Sequence, residues 1–127
     1  MARPPAKQLT ERELEIMHVS WEHGQLTAAE IRDHLAAGGR DLAYTTVATL
    51  VRILSDKGFL KQTNRTRPFV YRPLRTFEEV SRRIVGDLVD RVFRGSHTQL
   101  LVQLMESDRL TDRERQVLEQ IVREGKS

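Results

Sequence analysis

The sequence predicts a mainly α fold carrying one small β-hairpin, and three observations predict it. Five segments open with Ser or Thr followed three residues later by Glu or Gln, the apolar spacing changes from helical to extended after Gly58, and helical spacing resumes at Thr76. The five pairs are Thr10/Glu13, Thr27/Glu30, Thr76/Glu79, Ser96/Gln99 and Thr111/Glu114. In each, the hydroxyl can accept from the N3 amide while the longer side chain accepts from the cap amide, so two otherwise unpaired donors are satisfied together.

The first helix is predicted over Glu11–Glu22, with Leu14, Met17 and Trp21 as its apolar stripe and Gly24 as its stop. Leu9 with Leu14, and Leu26 with Ile31, occupy the two positions of a hydrophobic staple at the first two helix starts. The second helix is predicted over Ala28–Ala37, carrying Ile31 and Leu35 and ending at Gly38-Gly39. The third spans 44–57, with its stripe at Val47, Leu50, Val51 and Leu54 and Gly58 as the residue after its cap.

Beyond Gly58, residues 59–63 and 68–72 read as two strands joined by the polar turn Asn64-Arg65-Thr66-Arg67. Three helices and a hairpin in this order make a winged helix-turn-helix domain, assigned to residues 1–75. Residues 76–127 form a C-terminal helical region. Its first helix carries Phe77, Val80, Ile84, Leu88 and Val92, and two shorter ones carry Leu100, Leu101 and Leu104, then Leu118 and Ile121. Three amphipathic helices in so short a stretch cannot bury such wide stripes against one another, so these residues are expected to dimerise with a second copy. Truncation after Leu74 should then leave a monomer.

At 127 residues the chain holds one small domain and an extension, which excludes a large multi-domain enzyme. It has no cysteine, so disulfides, cysteine nucleophiles and thiolate metal sites are excluded. The absence of an apolar leader or span predicts a cytoplasmic protein with no membrane insertion.

The net charge of +3 is unevenly placed. Residues 39–75 hold 8 basic and 2 acidic side chains, while the segments on either side are slightly acidic. A compact basic segment is the electrostatic footprint of a nucleic-acid-binding surface.

On the third helix, steps of about 100° place Thr45, Thr49 and Arg52 opposite the stripe, with Thr46 and Ala48 on the flanks. Tyr44 opens the helix. Such a face suits the major groove of double-stranded DNA, where Thr meets a phosphate or a thymine methyl, Ala the methyl, and Arg a guanine edge or a phosphate. Asp56 should stay outside the groove. Arg65 and Arg67 at the hairpin tip, with Lys61 beside them, are placed to meet the backbone or minor groove.

His18, His23, His34 and His97 show no metal-ligand spacing, His34 standing isolated, and no cofactor is expected. No nucleophile elbow, phosphate loop or dinucleotide motif occurs, so the chain is not read as an enzyme.

Several stretches together resemble the penicillinase-repressor (BlaI/MecI) family. They are Leu9-Thr10-x-x-Glu13-x-Glu15-Ile16-Met17, Trp21-x-x-Gly24, Thr27-x-x-Glu30-Ile31, Thr45-Thr46-Val47-x-Thr49-Leu50, Lys57-Gly58-Phe59-Leu60, Arg67-x-x-x-Tyr71-x-Pro73 and Phe93-x-Gly95-Ser96. The resemblance implies a winged-helix repressor that dimerises through its C-terminal helices on a palindromic operator. It also implies release by C-terminal cleavage, triggered by a membrane sensor-protease. The cut maps to Gln103-Leu104, where the family usually has asparagine at the first position. The family's usual recognition-helix arginine is Ile53 here, with Arg52 one residue earlier. The copper-responsive branch carries C-terminal cysteine pairs, which this chain lacks.

Two other readings fit the same residues. One is a regulator that binds a small molecule between its DNA and dimer domains, for which the sequence offers no convergent polar pocket. The other is a winged-helix protein-interaction module without DNA affinity, against which the basic segment and the Thr-rich face count.

Overall fold

The computed structural model describes residues 8–124. Its elements are α1 (Glu11–His23), β1 (Leu26–Thr27), α2 (Ala28–Ala37), α3 (Tyr44–Asp56), β2 (Leu60–Gln62), β3 (Val70–Pro73), α4 (Phe77–Val92), α5 (His97–Met105) and α6 (Asp112–Glu124). They group into two compact units, one through Ile84 and one from Val85 onward, and α4 runs through the boundary.

Helix starts follow the local chemistry. Thr10, Thr27, Thr76 and Thr111 each exchange both capping-box hydrogen bonds with the Glu three residues on. At Ser96 only one half forms: the Gln99 amide donates to the hydroxyl at 3.1 Å, and Gln99 makes no return bond. A neutral amide gains less from the positive end of a helix than a carboxylate does.

Helices α2 and α3 end alike. Arg40 N donates to Leu35 O and Gly39 N to Ala36 O; Phe59 N donates to Leu54 O and Gly58 N to Ser55 O. This is the Schellman arrangement, which needs a left-handed residue after the cap. Gly39 and Gly58 supply it at φ 92° and 85°. Phe59 and Leu54, the apolar pair that accompanies the motif, are both buried.

The sheet has three strands, in the order β1-β3-β2, all antiparallel. The expected hairpin is there, with strands shorter than residues 59–63 and 68–72. Phe59 is taken by the end of α3, while Pro68 and Phe69 lie before β3. Strand β1 was not expected: Leu26 and Thr27 pair with Tyr71 and Val70, making β3 the central strand. Two residues carry no alternation to read.

The core of the first unit gathers Ile16 and Met17 of α1, Ile31 and Leu35 of α2, Val47, Val51 and Leu54 of α3, Leu60, and Val80 of α4. The buried face of α1 is Glu13, Ile16, Met17 and Ser20, rotated from the expected Leu14, Met17 and Trp21. Leu14 and Trp21 are half-buried at its edge. The rotation follows from Glu13, whose carboxylate is paired with Lys57 and can therefore go inside. Trp21 works sideways instead: its Nε1 donates to Arg75 O at 2.9 Å, and its ring meets Phe77 edge-on at 5.3 Å.

Val80 belongs to this core, being 6% exposed, and leaves the expected dimer stripe. Its place explains why a cut after Leu74 would remove part of the winged-helix core. His34 is not isolated either, since its ring stacks on that of His23 at 3.7 Å between centroids.

Candidate nucleic-acid interface

Helix α3 turns Val47, Val51 and Leu54 inward and is anchored there. Tyr44, Thr45, Thr49 and Arg52 are exposed, and Thr46 and Ala48 are half-buried on the flanks. The residues singled out in the sequence thus lie along one face, as the helical period requires. Asp56 is exposed at the far end, where the Schellman turn closes the helix.

The start of α3 differs chemically from those of α1, α2, α4, α5 and α6. Its cap residue is Ala43, which makes no side-chain cap hydrogen bond. Among the described residues no side chain caps the first amides of α3, and such amides favour an anionic oxygen.

The wing is organised by Asn64. Its Oδ1 accepts from Val70 N at 2.8 Å, and its Nδ2 donates to Thr66 O and Pro68 O, each at 3.0 Å. One amide side chain thus closes the turn on itself. Lys61, Arg65 and Arg67 are exposed around it, with the Arg67 guanidinium 5.4 Å from the centre of the Phe69 ring. Sequence reasoning placed Asn64 in the turn but did not identify it as the organiser.

Between α3 and the wing the structure adds residues that the sequence did not single out. The Arg32 guanidinium of α2 lies 5.9 Å from the Tyr44 ring centre. Tyr71, on the central strand, is half-buried; burial pushes its phenol above the ordinary value, Tyr44 adds to the rise, and Arg67 opposes it. At neutral pH the Tyr71 hydroxyl keeps its proton and can donate.

The candidate dimer residues are mostly uncovered. Phe77, Ile84, Leu88 and Val92 of α4, Leu104 of α5 and Ile121 of α6 are each at least 40% exposed. Leu100, Leu101 and Leu118 are half-buried, and Gln103 is exposed on α5. Among the described residues no cluster of three His, Asp or Glu side chains could hold a metal ion. No helix among them is long and apolar enough to cross a membrane.

The chain is 27% identical over 120 residues to the penicillinase repressor of Bacillus licheniformis, covering 94% of this chain and 93% of that one. It is 23% identical over 115 residues to the methicillin resistance regulatory protein MecI of Mammaliicoccus sciuri, covering 91% and 93%. The solution structure of the DNA binding domain of the repressor BlaI superposes with a TM-score of 0.50 at 29% identity, over 62% of this chain and 93% of that domain. The fold as a whole is shared with the solved complex of hsRosR-SG, at TM-score 0.54 and 17% identity over 96% of both chains. The family model described as penicillinase repressor matches residues 9–124, and the chain belongs to that family.

Proposed function

We propose that the protein is a homodimeric transcriptional repressor that binds a palindromic operator in double-stranded DNA. Helix α3 of each protomer enters a major groove, and the two half-sites lie about one helical turn apart, near 34–36 Å. The observation that carries this is the face of α3, where Thr45, Thr49 and Arg52 stand exposed behind an uncapped first turn. Membership of a family of repressors supports the same reading.

The division of labour follows from residue chemistry. Arg52 and the threonines, with Ala48 and its methyl, face base edges and supply selectivity. Tyr44, the first amides of α3, Lys61, Arg65 and Arg67 face phosphates and supply salt-dependent affinity. The exposed apolar residues of α4, α5 and α6 are covered by the second copy. Release is by cleavage near Gln103-Leu104, performed by a membrane sensor-protease acting on a repressor in the cytoplasm.

The test is a titration on the DNA upstream of the protein's own gene, with excess non-specific competitor and a series of salt concentrations. Tight, competitor-resistant binding with two chains per site is the expected result, and its slope counts the phosphates neutralised. Weak binding that competitor abolishes would favour an interaction module instead.

A further inference from the structure

We propose that the cleft between α2, α3 and the base of the wing is a binding site for a small planar aromatic acid. The cleft has a volume of about 620 Å³, within the range of small-molecule sites. It is lined by the aromatic residues Tyr44, Phe69 and Tyr71 and by the small or aliphatic Ala48 and Val51. Val51 is only 1% exposed and belongs to the hydrophobic core, so the cleft lies directly over that core.

This lining selects the ligand. A flat aromatic body suits the three aromatic residues and the small Ala48. Arg67, which also lines the cleft, is held against Phe69 and offers a cation to a carboxylate, and the Tyr71 phenol, raised by burial, keeps its proton at neutral pH. Tyr71 is fixed from both sides, paired with Leu26 and with Gln62, so this part of the lining is rigid.

The site has a consequence that rests on the DNA reading. Tyr44, Ala48 and Arg67 cannot serve the ligand and the duplex together, so occupancy and DNA binding exclude each other.

Binding is tested on the full chain without DNA, by titrating 1-naphthoate against an amide-resolved NMR spectrum. Saturable shifts at Ala29, Ala48 and Tyr71 are expected, with cyclohexanecarboxylate, which has the charge but no aromatic ring, binding about tenfold more weakly. Arg67→Gln should weaken naphthoate by about tenfold, the loss of one charge-assisted contact. Ala29→Phe should fill the cleft and abolish the shifts, and Ala29→Leu serves if the larger ring unfolds α2. Shifts absent at these amides, or equal in Arg67→Gln, would overturn the site. A duplex titration then reads the exclusion: at a naphthoate concentration equal to its own dissociation constant, half-saturation by DNA should rise about fourfold, a factor of about two for each cleft of the dimer. Naphthoate bound in the cleft with DNA affinity unchanged would overturn the exclusion alone. Failure of the protein to bind any duplex would overturn the DNA reading and leave the NMR result standing.

Discussion

The Glu13 carboxylate lies 2.8 Å from the Lys57 ammonium, joining the first turn of α1 to the cap of α3. Burial acts to raise the carboxyl, but the hydrogen bond from Lys57, the Thr10 amide and the ammonium charge outweigh it and hold Glu13 below its ordinary 4.5. Lys57 also donates to Gln8 O at 3.0 Å, so one ammonium gathers the chain before α1, α1 itself and α3.

A carboxyl depressed by folding stabilises the fold above its unfolded value and loses that contribution as pH falls through the folded one. Glu13→Gln should therefore cost about 2 kcal/mol at neutral pH and flatten the acid side of the stability curve. Urea denaturation across a pH series measures both; an unchanged acid limb would show that Glu13 does not govern it.

Arg52→Ala should cost about 1–3 kcal/mol in operator binding if the side chain reads a guanine. Competition between operator variants is the measurement, and unchanged discrimination would remove Arg52 from base reading.

Arg67→Ala should weaken all duplexes alike and lower the salt slope by about one unit. Binding to two unrelated duplexes over a salt series checks this, and loss confined to one of them would mean that the wing reads bases.

Asn64→Ala removes three hydrogen bonds from the wing turn while leaving the core untouched. The variant should melt close to the wild type yet bind DNA several-fold more weakly, because its arginines are no longer held. Equal affinity would show that the wing needs no such organisation.

Ending the chain after Ile84 retains Val80 and the Trp21 bond to Arg75, and so should give a folded monomer, whereas the full chain should sediment as a dimer. A monomeric full chain at micromolar concentration would refute the dimer.

What the sequence makes legible is what is local. The Thr-Glu pairs mark helix starts because donor and acceptor are three residues apart, and Gly58 marks an end because only the turn around it matters. The outward face of α3 is legible because its period coincides with its burial. What stays hidden depends on distant partners. Glu13 is buried only because Lys57 arrives from α3, and β1 exists only because β3 lies beside it. The cleft likewise appears only when α2, α3 and the wing meet.

Thr27 pairs with Val70 in the sheet, and its hydroxyl accepts from Glu30 N at 3.1 Å to begin α2. Serine would keep the hydroxyl but give up the branched carbon that strands favour, and valine would do the reverse. Threonine alone meets both demands. In a saturation mutagenesis library selected for folding, this half-exposed position should tolerate fewer replacements than many fully buried ones, where one aliphatic side chain can stand in for another.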